Sequence, residues 1–391
     1  MGQYHSIRPG KPWYDTEGKR IQAHGGSMLF REGTFYWYGE NKEGVTDEKV
    51  LWHNGVRMYS SKDLYNWKDE GVICATHPED PESPLHPYSK MDRPHILYND
   101  KTKKFVLWMM ICATHPEDPE SPLHPYSKMD RPHILYNDKT KKFVLWMKIM
   151  GDGGREQYMA TATSDKITGP FRIVNEKLHP GGMNSGDFDL VKREDGSACI
   201  VFERVHSDMV VIDLTDDYLD TTLTYSVHLP RKCPPYVREA PAVFHRQGKH
   251  YIITSGTTAK FPNASETVRY DDIHGEWEEL GDPFVGDIKR TSFDSQVSCV
   301  FRYPYADDLY IAMADRWLTD LSDDRPDIAA IFAAIFDPDI KSDLADFPLH
   351  TLTAKNTSLA DYVWLPVRFV DGVPKIEWRD EWTVEELLEE K

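Results

Sequence analysis

The stretch Arg238-Glu239-Ala240-Pro241-Ala242-Val243-Phe244 sets an acidic residue directly before an apolar strand. Pro241 is expected to hold the backbone extended at the first strand positions. A carboxyl at the inner end of a buried strand is costly to ionise, so its pKa should rise, which is what a general acid at neutral pH requires. The competing account is a structural Glu paired with a neighbouring Arg. Four other apolar strands are led by residues of comparable chemistry: His24 in AHGGSMLF, Asp130 in DRPHILY, Asp187 in GDFDLV and Gln296 in DSQVSCVF. Two or three carboxyls meeting in one pocket suit the cleavage of a glycosidic bond. One protonated acid serves the leaving oxygen, and a group on the opposite face serves water. Like charges held close together also push one pKa upward, which keeps the acid protonated.

These leading residues are far apart in sequence, so the fold must bring them together. Each begins a repeated pattern of apolar strand, charged turn and second apolar or aromatic strand. The turns are Arg31 to Gly33, Asn137 to Lys142, Lys192 to Gly196, His245 to Lys249 and Arg302 to Asp307. Outer strands are expected at Val56 to Ser60, Tyr158 to Thr163, Met209 to Leu214 and Thr267 to Tyr270, each followed by a polar, Trp- or Phe-bearing strand such as Tyr65 to Asp69. Five such units predict an all-β fold: a single five-bladed β-propeller domain, 1–391, with four-stranded antiparallel blades around a central channel. A pair of β-sandwiches would give similar strand counts. In a propeller the first strand of every blade lines the channel, so the five leading residues would converge. Pro326 to Pro338 carries AAIF twice and fits a short helix or an outer strand, and Thr383 to Lys391 fits an amphipathic C-terminal helix.

The run from Ile73 to Met109 recurs letter for letter from Ile111 to Met147, with only Met110 between the copies. Structural repeats diverge, so perfect identity marks a recent or introduced duplication rather than an architectural repeat. The same strand pair, HILY then FVLWM, is thereby offered twice to one place in the fold, and Asp92 is the twin of Asp130. The second copy runs directly into Lys148-Ile149-Met150 and is expected to be the resident one. The first would be extruded or pack peripherally.

Composition bounds the partners. The formal net charge of −18 argues against nucleic acid and anionic membranes, which demand basic patches. No apolar run is long enough to span a bilayer. With 11 Trp, 20 Tyr and 16 Phe the chain is rich in side chains that fit half-buried pleated surfaces and stack on sugar rings. The five cysteines, Cys74, Cys112, Cys199, Cys233 and Cys299, form no CxxC motif or Cys/His cluster, so no zinc site or disulfide framework is indicated. Free thiols and the lack of an apolar signal core lead to the expectation of a cytoplasmic setting, or a secreted one if a leader has been removed.

IQAHGG, FYWYGENK, YSSKDLYNWKDEG, DRPHILYN, REAPAVF and YVWLPVRFVDGVPKIEWRDEW together resemble the family 43 glycoside hydrolases, most closely their exo-β-1,3-galactosidase-like branch. The resemblance runs from about Trp13 to Trp382. It implies a five-bladed propeller, inversion at the anomeric carbon, an oligosaccharide or polysaccharide substrate and no required cofactor. A structural Ca²⁺ in the channel, as some relatives hold, is left open. By this resemblance Glu239 matches the general acid, and Asp187 matches the blade-three aspartate that tunes the acid or holds the sugar. The usual blade-one aspartate is missing from AHGGSMLF. The galactosidase-like branch shares this loss and is thought to use a blade-five glutamine, which matches Gln296; its blade-two glutamate corresponds to the shorter Asp130. An α-L-arabinofuranosidase, a β-xylosidase and a non-catalytic sugar-binding propeller are the alternatives.

Further substrate contacts are expected from His24, Tyr36, Glu40, Asp92, Arg316 and Trp317. Three have a structural counterpart: His24 as a hydrogen-bonded channel residue rather than a metal ligand, Glu40 as a turn stabiliser, Trp317 as core. Tyr36, Trp37 and Tyr38 alternate in facing, so at least one is core. Asp189 points away from the side of Asp187 if strand alternation holds, and is left out of the site.

Overall fold

A computed structural model describes residues 4–46, 51, 53–76, 78–79, 95–99, 104–108, 128–151, 156–165, 172–353 and 356–390. The chain folds as a five-bladed β-propeller whose blades follow one another in sequence. Blade one comprises β1 (His24–Arg31), β2 (Thr34–Glu40), β3 (Val56–Ser61) and β4 (Lys68–Cys74). A separate two-stranded hairpin follows, β5 (His95–Asn99) and β6 (Lys104–Trp108). Blade two comprises β7 (Lys128–Asn137), β8 (Lys142–Gly151), β9 (Glu156–Ser164) and β10 (Arg172–Leu178). Blade three comprises β11 (Ser185–Lys192), β12 (Ala198–Arg204), β13 (Asp208–Leu214) and β14 (Thr221–His228). Blade four comprises β15 (Arg238–Arg246), β16 (Lys249–Gly256), β17 (Glu266–Tyr270) and β18 (Glu278–Gly281).

Blade five carries one extra strand. β19 (Phe284–Val285) pairs in parallel with β23 (Val373–Glu377), which continues through β22 (Asp361–Val370) and β21 (Tyr310–Arg316) to the inner β20 (Gln296–Arg302). The AAIF segment is helix α1 (Ile328–Phe336), capped by Asp327 accepting from the Ala330 amide. It lies in the long connection between β21 and β22, so the outer-strand alternative for it does not hold. Helix α2 (Val384–Glu389) closes the chain with a capping box between Thr383 and Glu386. Among the described residues no helix is long and apolar enough to cross a membrane.

Burial explains the strand types. β12 and β13 are covered on both sides by neighbouring blades, so they are apolar along their length (ACIVF, MVVI) rather than alternating. The outermost β14, TTLTYSVH, is mostly solvated and polar. Of the Tyr65 to Asp69 stretch, expected as a strand, Tyr65 to Trp67 form a turn and the strand, β4, begins at Lys68. The Asp63 carboxylate accepts from the amides of Tyr65 and Asn66 at 2.8 Å each, which bends the chain before Lys68. Trp67 is then free to bury its indole, which donates to the Leu64 carbonyl.

The ring is closed between blades one and five by side chains and by backbone hydrogen bonds. Ile7 and Trp382 exchange hydrogen bonds at 2.8 and 3.0 Å. Trp37 sits in the centre of the closing cluster, 4.7 Å from Trp364 and 5.4 Å from Trp67 between ring centroids, and is fully buried. Truncating such a residue to Ala costs about 3–5 kcal/mol.

The duplication is resolved by position. The second copy supplies β7 and β8 of blade two, as expected. The first copy supplies β5 and β6, a separate hairpin whose β5 lies beside β1 and β2 of blade one.

Candidate active site

The inner strands β7, β11, β15, β20 and β1 pack in turn around the channel. Each has an irregularity near its leading end: between His24 and Ser27, Asp130 and His133, Ser185 and Phe188, Glu239 and Ala242, and Val297 and Cys299. Bulges at such positions twist the strand and re-aim its side chains. In β15 the bulge places Ala240 at φ 55, so the residue before Pro241 is left-handed rather than extended. The expected extended run at Pro241 therefore begins only after the bulge. Only a tightly held backbone keeps a non-glycine residue there.

Arg238 provides that hold. Its side chain is nearly fully buried and turns into blade four, donating to Thr254 Oγ1 at 3.1 Å, the Thr254 carbonyl at 3.1 Å and the Ala264 carbonyl at 2.7 Å. Burial pulls its guanidinium down to about 10. Arg238 thus anchors the strand from behind, while Glu239, half-buried, leads it opposite Ser255 in register.

Ser255 ties the acid's strand to blade five, because its hydroxyl accepts a 2.9 Å hydrogen bond from Gln296 Nε2. Gln296 in turn follows a strained loop. Arg290, Ser292, Phe293 and Asp294 all have φ between 53 and 59. Arg316 Nη2 donates to the Phe293 carbonyl at 2.7 Å, and Arg325 pairs with Asp294. Arg316, expected as a substrate contact, therefore holds the loop that carries Gln296, with burial lowering its pKa.

Blade three contributes Asp187, whose carboxylate meets the ammonium of Lys148 at 2.7 Å; the two side chains are 14% and 7% exposed. Lys148 lies opposite Asp130 in the β7–β8 register. One cation thus links the strands of both blade-two and blade-three aspartates. Asp92, the twin of Asp130, lies outside the described residues. Behind Asp187 the backbone of Gly186 abuts the buried carboxylate of Glu203, and a Cβ on Gly186 would fall 2.2 Å from Glu203 Oε2. Asp189 turns the other way, as alternation requires, and accepts from the Val243 amide at 3.2 Å.

On blade one, His24 is fully buried and stacked on Tyr362, with centroids 5.0 Å apart, and its Nε2 lies 3.1 Å from Gln22 Oε1. Burial holds its pKa well below the usual imidazole value. Glu40 is cross-strand from His24 and forms a buried ion pair with Lys42 at 3.0 Å. Trp317 is partly buried against the cluster of Phe261, Leu318 and Ile331, 5.9 Å from the His24 ring, with the Lys260 ammonium 5.3 Å over its face. Tyr36 is not grouped with these residues. It opposes Leu29, four positions before Glu40 on β2, which sets it about 13 Å down the strand at the usual rise. Trp37 is the core member of its triplet. Among the described residues no group of three or more His, Cys, Asp or Glu side chains is arranged to hold a metal ion.

Lys148 and Ser255 were not singled out from the sequence. The signal for Lys148 was a lone cation in the apolar strand FVLWMKIM; Ser255, in ITSG, carries none.

The leading ends of the inner strands thus carry Glu239, Asp187, Asp130 and Gln296. The profile described as Glycosyl hydrolases family 43 matches residues 129–290, which span blades two to four. Two solved family 43 β-1,3-galactosidases each share 27% identity with this chain. One has a TM-score of 0.65 over 98% of this chain and 64% of its own length. The other, with galactodeoxynojirimycin, has a TM-score of 0.62 over 96% of this chain and 100% of its own. An exo-β-1,3-galactanase from Phanerochaete chrysosporium shares the fold at 20% identity, with a TM-score of 0.61 over 97% of this chain and 68% of its own. No curated protein sequence matches the chain. Over residues 129–290 the chain is thus similar to the glycosyl hydrolases of family 43, and over nearly its whole length to solved family 43 β-1,3-galactosidases.

Proposed function

We propose that the protein is an inverting exo-β-1,3-galactosidase that removes terminal galactose from oligosaccharides or polysaccharide side chains. The observation that supports this reading is the link from Glu239 through its register partner Ser255 to Gln296, which joins the leading ends of two adjacent inner strands. Glu239 protonates the leaving oxygen. Gln296, held at Nε2, offers its carbonyl oxygen to a water on the opposite face of the sugar, and Asp187, charge-balanced by Lys148, holds sugar hydroxyls. The two β-1,3-galactosidases at 27% identity support the choice of sugar.

The test is hydrolysis of 4-nitrophenyl β-galactoside, α-L-arabinofuranoside and β-xyloside, with the anomer of the first product followed by NMR. Galactoside turnover with inversion is expected, and Glu239→Gln should lower hydrolysis of β-1,3-galactobiose, whose alkoxide leaving group needs the proton, by about 10²–10⁴. Undiminished activity in that variant removes Glu239 as the acid. Preference for arabinofuranoside or xyloside moves the substrate class and leaves the acid in place.

A second reading, a non-catalytic sugar-binding propeller, is favoured by the leading end of β1, where His24-Gly25 replaces a carboxylate. Calorimetric binding of an intact oligosaccharide with no product after long incubation would select it.

A further inference from the structure

A cleft of about 1040 Å³ opens on the outer rim of the seam between blades one and five, lined by the N-terminal segment, the β3–β4 turn and Asp380-Glu381. Leu64, Tyr65 and Trp67 of its wall belong to the β3–β4 turn, which follows the end of β3 remote from Glu40 and His24. That wall of the cleft therefore lies at the end of blade one remote from Glu40 and His24.

Three features define its chemistry. The first is aromatic: Tyr4 and Tyr14 line it with rings 39% and 40% exposed, and Trp13 lies between them in the chain. The second is rigidity. Tyr4 is pinned to Asn66 by two hydrogen bonds at 2.8 and 2.7 Å, Tyr14 bridges Arg20, and Trp13 packs 5.2 Å from Trp364. Walls fixed in advance lose little freedom on binding. The third is polarity without net charge. Arg8 pairs with Glu381 at 3.0 Å, and Lys11 is matched by Asp380 in formal charge. Among the described residues, the hydroxyls of Tyr4 and Tyr14, the His5 imidazole and the Lys11 ammonium make no hydrogen bond within the protein.

Exposed aromatic faces, unengaged hydrogen-bonding tips and balanced charge fit a ligand with an apolar C–H face ringed by hydroxyls. A polyanion or a polycation would meet no net countercharge. We propose that this cleft is a second binding site for a neutral oligosaccharide, which holds a polymeric substrate on the propeller while the channel acts on its end. The choice of a galactosyl probe rests on the function proposed above.

The experiment titrates Glu239→Gln protein with β-1,3-galactotriose by calorimetry, beside the same protein carrying Tyr4→Ala and Tyr14→Ala. Two sites are expected in the first and one in the second. In the otherwise native enzyme the two Tyr→Ala changes should leave 4-nitrophenyl galactoside turnover unchanged. They should weaken binding to β-1,3-galactan by about tenfold, the effect of losing two aromatic contacts. Lys11→Glu alters only an exposed tip and should weaken polymer binding without affecting the fold. A single site that survives Tyr4→Ala/Tyr14→Ala overturns the cleft. A single site abolished by those changes retains the cleft and places the failure in the galactosidase assignment of the channel.

Discussion

Replacing Lys148 by Met removes the cation that faces Asp187 and leaves the carboxylate largely out of water. At 2.7 Å and an effective dielectric near 20 the gross attraction is about 6 kcal/mol. Desolvation of both groups offsets much of it, so the pair adds little beyond an apolar pair of equal volume. Removing one partner is different: it abandons a buried charge, at a cost of roughly 3–5 kcal/mol. Lys148→Met and Asp187→Asn should each lower the urea unfolding free energy, since each removes the opposite charge's partner at 2.7 Å. The double variant leaves neither charge, and its loss should be smaller than the sum of the two by about 2–3 kcal/mol. Both single variants should also lose galactoside turnover, because Asp187 is no longer held. Additive losses in the double variant, or a Lys148→Met protein within about 0.5 kcal/mol of the native one, would refute the ion pair as the support of Asp187.

Ser255→Ala should loosen Gln296 without opening the core. A net hydrogen bond of about 1 kcal/mol converts to a drop in kcat of about fivefold with KM little changed, and an unaltered kcat would sever the proposed link. Gly186→Ala drives a methyl group to 2.2 Å from Glu203 Oε2; displacement of the strand should cost about 1–3 kcal/mol in thermal unfolding and reduce turnover through Asp187. Stability should also depend on pH through His24. Burial lowers its pKa in the folded protein, so the folded state stays neutral while the unfolded chain gains a proton below about pH 6.5. The unfolded state then binds more protons, and stability is full above that pH and falls below it by up to about 1.4 kcal/mol per unit. His24→Asn should flatten that part of the urea-midpoint profile between pH 7 and pH 5, and an unchanged slope would remove His24 as its source.

Much of this molecule was legible from residue order. Strand, turn and strand recur with leading polar residues, and that period follows from local preferences, so five blades and their inner strands could be named in advance. Glu239, Asp187 and Gln296 stand out in the sequence because each leads an apolar strand at the same place in its unit. The identity of the duplicated segments announced a surplus strand pair for the same reason: it is a property of the letters alone. What residue order left open was decided by contacts between distant strands. Pro241 suggested an extended strand start, but the bulge at Ala240 is set by pairing with β16 and by the grip of Arg238 on Thr254 and Ala264. Arg316 reads equally well as a pocket residue or a brace until Phe293 is seen to accept from it. Tyr36 fell away from the site because register with Leu29 sets its depth in the blade. Lys148 and Ser255 act through partners on neighbouring blades, 39 positions from Asp187 and 41 from Gln296. Local sequence carries periodicity and chemical type; pairing register, burial and charge compensation exist only once the ring has closed.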